Sequence, residues 1–548
     1  MSCTKAGAIK DFEDAVKFAI EHSNFHDTAM AFYNSGNTKR EFTDYNGAIN
    51  DFTQAIRYDP KYAAAYNNRG SIKLDKLDYN GAIEDFTQAI KIDNSHTGAY
   101  YNRGNAKLDT SDYEGAIEDY TEAIKILKEK QQVFRDVYKN RGIAFANTKQ
   151  YEKAELDFLE AKTDILLVCD LGKSGEIVAR MLLNNDAFFK EAIDGCKENE
   201  IESYKDLYLQ SLKIITKLQV YNKEEAPAVT YTSKKVSEYM FFEGSSFQLS
   251  LANTSNDPQE GKVLFRYLSV NNDLLKDIDS SNGAFIGCFI LNKDSLNQFR
   301  LYGKTKNEEG TGVAIAFNGL FFSKHIRSPR SNNILDESYN KVSNNKIETN
   351  TNKKNLSNLL PLFRCIYIDP ETNRVVSLGH KEEYVFYRES ELLGNNYSKY
   401  KEKIDKTQKE VDIELKRLRE QSNRLDQTIV CKLLLNLRYL IKHVAFKEEQ
   451  ECRIIQIKKY SDEEIKIEEI KNDENNVIAK RKYVEYLKAN PYNVDVICLG
   501  PKIEDEEIQK VDGWGINIEE YKHDLDSKGY KYEISTSPLD WSQNKKNK

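Results

Sequence analysis

One pattern recurs at fixed spacing through the first third of the chain. N-x-G followed by D-Y-x-G-A-I-x-D-F/Y-x-x-A-I runs from Asn34 to Ile56, from Asn68 to Ile90 and from Asn102 to Ile124, with Gly36, Gly70 and Gly104 each 34 residues apart. A fourth copy, Asn140-Arg141-Gly142 through Ala154, Asp157, Phe158 and Ala161, follows after 38 residues, and the four extra residues are expected to lengthen the helix around Ile126 to Val133. Each unit places small residues (the Gly, then Ala48, Ala82, Ala116 or Ala154) and an aromatic where two helices would touch. Such a helix-turn-helix cannot bury its apolar faces alone, so the copies must stack. This third of the chain is therefore expected to be an all-α solenoid with no single compact core.

Tyr66, Gly70, Ala82, Phe86 and Ala89 fall at the consensus spacing of the tetratricopeptide repeat, and residues 29–162 resemble that family. The resemblance implies a concave groove holding a protein or peptide partner, and it implies no chemistry. An Asn stands two residues before each glycine (Asn34, Asn68, Asn102, Asn140). Two readings of these amides stand side by side: they hold a partner's backbone, or they hydrogen-bond between helices inside the stack. Ile9, Phe12, Val16 and Ile20 follow helical spacing, so a capping helix is expected within residues 4–28 and the solenoid domain spans 1–162.

Composition narrows the rest. Proline is scarce, 9 in 548, which favours long uninterrupted helices. Lys+Arg 80 against Asp+Glu 87 gives a formal net charge of -7, so no global charge draws the chain to nucleic acid. The eight cysteines never come closer than 21 residues, so no CxxC metal or redox pair exists. Seven histidines without H-E-x-x-H make a zinc hydrolase a poor fit, and no metal is expected. The first residues carry no apolar core of a signal peptide and no apolar run spans a bilayer. A bacterial cytoplasmic protein is the expectation, with non-classical secretion as an effector left open.

Residues 163–225 stay helical in pattern without the repeat consensus and are read as a helical cap or linker. From 226 to 548 strand-like runs alternate with helices: Ala284 to Leu291, Gly312 to Asn318, Phe363 to Ile368, Arg453 to Lys458, Val494 to Leu499 and Tyr530 to Ser535. No βαβ rhythm is visible, so the fold class is multidomain, a helical solenoid followed by an α+β domain with a mixed sheet. Residues 340–358, rich in Asn, Lys and Thr, are read as a mobile insertion. Residues 397–441 form one long helical insert, with Ile404, Val411, Leu418 and Leu425 spaced by sevens; packing within the domain is favoured over a coiled-coil arm.

One motif stands out chemically. Phe446 to Ile455 enters a strand with Glu449, Glu451 and Arg453 on alternate residues, hence on one face, followed by Ile455 and Ile457. Two carboxylates and a guanidinium there can wall an ion-paired pocket, or form a salt bridge on an exposed edge.

Eight motifs in order across residues 229–538 resemble the bacterial family catalogued as domain of unknown function 2971. They are Val229-Thr230-Tyr231-Thr232-Ser233, Asn256 to Gly261, Cys288-Phe289, Phe299 to Gly303, Gly312 to Phe317, Phe446 to Arg453, Cys498-Leu499-Gly500-Pro501 and Ser535-Thr536-Ser537-Pro538. Their order is in turn similar to that of ADP-ribosyltransferases, which split NAD at its nicotinamide bond. That resemblance implies NAD as substrate and an oxocarbenium-like transition state stabilised by a carboxylate. Glu451 takes that role by resemblance, with Glu449 orienting an acceptor and Arg453 completing the cluster. Thr230 and Tyr231 occupy the opening nucleotide strand, Tyr302 is placed to stack on nicotinamide and Arg300 to meet the pyrophosphate. The family's opening His is Thr230 here, and Thr supplies no imidazole chemistry. Two functions follow: a repeat-guided, toxin-like NAD-cleaving or ADP-ribosylating effector, or a non-catalytic scaffold whose C-terminal domain senses a ligand.

Overall fold

The computed structural model describes residues 16–21, 24–41, 44–132, 134–169, 171–220, 228–252, 261–271, 274–291, 304–305, 308–309, 312–318, 321–322, 360–369, 371–379, 397–471, 477–491, 493–500 and 518–535. The chain divides into two compact units, the first holding residues up to Thr163 with Leu171–Leu182, the second holding Asp164–Asp170 and the described residues from Leu183 onward. The segment read as a connector thus divides between them.

Eight helices form the repeats: α1 Phe25–Glu41, α2 Tyr45–Tyr58, α3 Ala63–Asp75, α4 Tyr79–Ile92, α5 Thr97–Asp109, α6 Tyr113–Glu129, α7 Arg135–Asn147 and α8 Tyr151–Glu160. The D-Y-x-G motif explains each second helix. Asp44, Asp78 and Asp112 are N-caps whose carboxylates accept from the amides of Gly47, Gly81 and Gly115 at 2.9, 3.1 and 3.1 Å. The repeat glycine of each first helix faces the aromatic of the second: a Cβ on Gly104 would lie 2.7 Å from the Tyr120 ring, and one on Gly70 2.8 Å from Phe86. Only the absence of a side chain lets the pair close. The four-residue excess lengthens α6 to 17 residues, against 14 in α4; the added residues bring in the buried Leu127, and Ile126, whose counterpart Ile92 is exposed, is buried as well. Residues 16–21 are helical as expected of a cap; Val16 and Ala19 are buried, whereas Ile20 faces solvent.

α9 (Gly172–Leu182) packs against α8 and extends the first unit. The second unit contains α10 (Ile201–Leu218), α11 (Tyr397–Ser422), α12 (Gln427–Leu433) and a large sheet. Its strands are β1 Gln219–Val220, β2 Ala228–Thr232, β3 Ser246–Leu251, β4 Asn282–Ile290, β5 Val313–Phe317, β6 Leu362–Arg364, β7 Ile366–Asp369, β8 Arg374–Leu378, β9 Ile441–His443, β10 Glu451–Lys459, β11 Ile465–Lys471, β12 Val477–Lys488, β13 Val494–Leu499 and β14 Tyr532–Ile534. Eleven of them form one sheet in the order β1–β6–β10–β4–β2–β5–β13–β14, with β3, β12 and β11 branching from β4; β8, β7 and β9 form a second. Most pairings are antiparallel, but β13 with β14 and β9 with β7 are parallel, so the sheets are mixed.

One face of the large sheet carries the main core, in which Phe247, Phe289, Phe317, Phe321 and Phe322 stack at centroid separations from 3.9 Å upward. The insert read as 397–441 is not one helix. α11 ends at Ser422, Asp426 caps α12, and β9 begins at Ile441. Tyr400, Ile404, Val411, Leu415 and Leu418 are buried, and α11 packs along α10, so the heptad spacing serves a contact inside the unit. The insertion read at 340–358 lies outside the described residues.

Candidate functional site

Neighbouring first helices, α3 with α5 and α5 with α7, pack on one another more closely than the second helices do, so the stack curves toward them. A polar ladder crosses this inner side. The amide of Asn68 donates to Asn37 Oδ1 at 2.8 Å and to the Tyr33 hydroxyl at 3.1 Å; Asn102 donates to Asn67 Oδ1 at 3.0 Å and to Ser71 Oγ at 3.3 Å; Asn140 donates to Asn105 Oδ1 at 2.9 Å and to the Tyr101 hydroxyl at 3.4 Å. Each rung reaches back to the repeat before it. The recurring asparagines Asn68, Asn102 and Asn140 thus join helices of adjacent repeats, and this corrects the reading of their donors as open to a partner. Asn34 has no earlier repeat to reach, and its side chain has no hydrogen-bond partner among the described residues.

A second ladder was missed in the sequence. Asp85 is held by Arg69 through two bonds of 2.9 and 2.7 Å and by Lys73 at 2.8 Å; Asp119 is held likewise by Arg103 and Lys107. Asp157 has Arg141 alone, because Phe145 stands where the lysine would be. In the first repeat Ser35 and Lys39 hold Asp51 at 2.6 and 2.8 Å. Each of these arginines also reaches a threonine of the preceding second helix (Thr53, Thr87 or Thr121) at 3.1 Å. The four aspartates are buried. The signal was present: each Asp of I-x-D-F/Y lies 16 residues after the residue between Asn and Gly.

These pairs take up Lys39, Lys73 and Lys107, the lysines one turn after the arginine or serine. The last residues of α1, α3 and α5 are Glu41, Asp75 and Asp109, 34 apart. Asp75 and Asp109 follow Ser71 and Asn105 by one helical turn, so they share the inner face. Burial raises the pKa of both carboxyls, with Arg40 partly opposing it at Asp75.

In the second unit the charged motif is built differently from the expectation. Glu449 closes a 3-10 turn, Val444–Glu449, Gln450 takes a left-handed conformation, and the strand starts at Glu451. Glu449 therefore meets Glu451 through a shared cation, not through strand alternation. Lys442 of β9 pairs with Glu449 and lies 2.6 Å from Glu451 Oε2. Arg453 Nε donates to Glu451 Oε1 at 2.5 Å and its Nη1 to the Tyr439 carbonyl at 2.5 Å. The Glu451 amide donates to the Tyr367 hydroxyl at 2.7 Å. Glu451, Arg453 and Lys442 are all buried. Burial alone would raise the Glu451 pKa, but Arg453 and Lys442 outweigh it and hold the carboxyl well below the usual range. Burial alone would lower that of Lys442, and Glu451 raises it instead.

Register places the other residues. Val229, Ile290 and Glu451 lie in one row across β2, β4 and β10, and Cys288 opposes Arg453. Tyr231 opposes Ala314 and packs on that same face. Thr230 opposes Ile315, which belongs to the main core on the other face. Alternate strand residues point to opposite sides, so Thr230 is separated from Glu451 by the sheet. That corrects the grouping of Thr230 and Tyr231 in one nucleotide site. Cys288, unremarked as a site residue, is exposed and lies opposite Arg453 on this face. Arg300 and Tyr302 lie outside the described residues. Among the described residues no His, Cys, Asp and Glu cluster could hold a metal, and no helix is long and apolar enough to cross a membrane.

Comparison with known proteins locates the familiar part of the chain. Residues 36–76 match the family described as TPR repeat, and residues 63–96 and 97–126 match the one described as tetratricopeptide repeat. No curated protein matches. Among solved structures, MamA is 23% identical, covering 29% of this chain and 86% of its own, with a TM-score of 0.26. The first TPR of Spaghetti (RPAP3), bound to an HSP90 peptide, is 26% identical over 18% of this chain and 80% of its own, with a TM-score of 0.18. The Arabidopsis OM64 TPR domain is 26% identical over 22% and 93%, with a TM-score of 0.20. The first unit carries tetratricopeptide repeats, the architecture of a protein-interaction module.

Proposed function

We propose that this chain is a partner-binding protein whose repeat stack holds an extended segment of another protein along the inner face of α1, α3, α5 and α7. One observation supports this reading most: the ladder cations Lys73, Lys107, Arg69 and Arg103 are committed to the buried Asp85 and Asp119, while Asp75 and Asp109 stand 34 residues apart at the ends of α3 and α5 on the inner face. Carboxylates at a helix C-terminus oppose the macrodipole and so do not serve helix stability. A face of this charge suits a neutral or basic segment. Panning a random peptide library on the full chain is expected to enrich Lys- and Arg-containing segments, and the double variant Asp75→Asn, Asp109→Asn loses them. Enrichment of acidic segments would sink the reading.

For the second unit, two proposals compete. The ligand-sensing scaffold is favoured by the locked state of Glu451, whose two oxygens are taken up by Arg453 and Lys442. NAD cleavage or ADP-ribosyl transfer keeps one observation in its favour, the exposed Cys288 and the half-buried Tyr231 on the same sheet face as Glu451. Incubating the full chain with NAD and following nicotinamide release separates them. Turnover by the wild type that disappears in Glu451→Gln, while the variant keeps its circular dichroism spectrum at the assay temperature, selects the enzyme; wild-type protein inert with and without a cell lysate selects the scaffold.

A further inference from the structure

Where the start of α10 meets the end of α11, the second unit forms a cavity of about 720 Å³, well within the size range of small-molecule sites. Its floor includes Cys196, Tyr204 and Gln421; Tyr204 is buried, and Cys196 and Gln421 are half-buried. Its walls and rim carry four carboxylates, Glu200, Asp206, Glu420 and Asp426, against two cations, Lys197 and Arg424. Lys197 and Arg424 are exposed at the mouth, whereas Glu200 and Asp206 are half-buried, so the charge becomes more negative with depth.

Three features mark this as more than a crevice between helices. Glu200 and Glu420 form no ion pair among the described residues, although two cations line the same cavity. Asp426 is fixed in place, because its carboxylate accepts from the amides of Thr428 and Ile429 at 2.9 and 3.3 Å while its own amide donates to the Tyr204 hydroxyl at 3.2 Å. Gln421, which lines the cavity, has a buried amide oxygen with no partner among the described residues, at a cost of roughly 1–3 kcal/mol. A turn of that amide toward the cavity would let a ligand N–H satisfy it. The floor also registers the field: the thiol of Cys196 and the phenol of Tyr204 both have raised pKa values, through burial first and then through charges that include Glu200 and Asp426.

We infer that this cavity binds a small organic cation, an ammonium or guanidinium compound, with its charged end toward Glu200 and Asp206. An anion would meet four carboxylates, and an uncharged apolar ligand would strand the unpaired acids. The inference concerns the second unit alone and adds a ligand class to its scaffold reading. Loss of peptide binding by the repeats leaves it standing.

The test uses the full-length chain and agmatine, which has a guanidinium at one end and an ammonium at the other, with glutarate as the anionic counterpart. Agmatine is expected to raise the melting temperature in a saturable manner and glutarate to leave it unchanged. Glu200→Gln and Glu420→Gln each weaken agmatine binding about tenfold, the effect of removing one 1.4 kcal/mol interaction. Glu198→Gln, the same charge change two residues away but outside the cavity, leaves it unaltered. A second readout needs no ligand: a cationic methanethiosulfonate labels Cys196 faster than an anionic one, followed by peptide mass spectrometry, and agmatine slows the labelling. Equal labelling rates together with no agmatine effect on melting overturn the inference. So does binding of an arginine-containing peptide, but not of agmatine, that is lost in the same variants, since the site would then belong to a partner's side chain.

Discussion

The solenoid and the second unit solve one electrostatic problem in two ways. Both bury carboxylates, and both surround them with cations: Asp85 and Asp119 each have an Arg and a Lys, and Glu451 has Arg453 and Lys442. In the solenoid the cations come from one helix, four residues apart, and the whole unit is copied every 34 residues. In the second unit they come from two strands in different sheets and are joined by Tyr367 and the Tyr439 carbonyl. A repeated solution is redundant, because each rung is one of several. The cluster around Glu451 has no second copy among the described residues, so the second unit should be the more sensitive to losing one cation.

The largest expected effect follows directly. Arg453→Ala leaves Glu451 buried with half its neutralising charge gone, and breaking a buried pair in this way costs about 3–5 kcal/mol. Urea denaturation should lose that much from the transition that reports the second unit, because the remaining Lys442 is shared with Glu449; Arg103→Ala, at a less buried arginine and with Lys107 left to Asp119, should cost less than half as much. Equal losses would remove the contrast between the two designs.

The solenoid contains its own internal control. Asp157 lacks the lysine that Asp85 and Asp119 have, so Arg141→Ala is expected to destabilise by about 1–2 kcal/mol more than Arg103→Ala, within the range for stranding a buried charge. Phe145→Lys in the Arg141→Ala background should recover part of the difference. If it recovers nothing, redundancy is not what protects the other rungs.

Acid titration sharpens the comparison further. The folded-state pKa of Glu451 lies below the unfolded one, near 4.3, so its stabilisation is complete above that pH and drains away as the pH falls toward the folded value. For Lys442 the shift is upward, so its contribution holds below about pH 10.4 and is lost only as the pH climbs past that toward the raised value. Below about pH 4.3, Glu451→Gln should flatten the stability slope by ~1.4 kcal/mol per pH unit, the contribution of one proton. No change in slope would mean that the charge on Glu451 is not what the cluster stabilises.

These contrasts also explain what could be read from the sequence. The repeats were legible because helical period, capping Asp and the Gly–aromatic contact are all local and recur; even the longer α6 followed from counting residues. The role of Asn68, Asn102 and Asn140 was not, since a side chain two residues before a glycine can point along the groove or across to the next helix with the same spacing. In the second unit, period-two reasoning placed Glu451 and Arg453 together but took Glu449 as a third strand residue. The left-handed Gln450 breaks that count, and nothing local in Glu-Glu-Gln-Glu announces it. Lys442 was invisible as a partner because it reaches Glu451 through the pairing of β9 with β7. Thr230 and Tyr231 were assigned to one site because resemblance names motifs, and motifs do not state which face each residue takes.

The smallest effect concerns strands that the sequence concealed entirely. β11 (IKIEEIK) and β12 (VIAKRKYVEYLK) carry so many charges that neither was among the expected strands, yet they form an antiparallel pair along most of β11. Opposite charges meet across it, Lys466 with Glu485 at 2.7 Å and Lys480 with Glu469 at 3.1 Å, and these four side chains are open to water. Water and salt screen such pairs, and the entropy of holding two long side chains offsets what remains. Lys466→Ala should therefore leave the urea midpoint within replicate scatter and insensitive to added salt, although its ion pair is nearly as short as the one between Glu451 and Lys442. A clear loss from Lys466→Ala would mean that distance, not burial, governs these pairs, and the ranking that places Arg453 first would then fail.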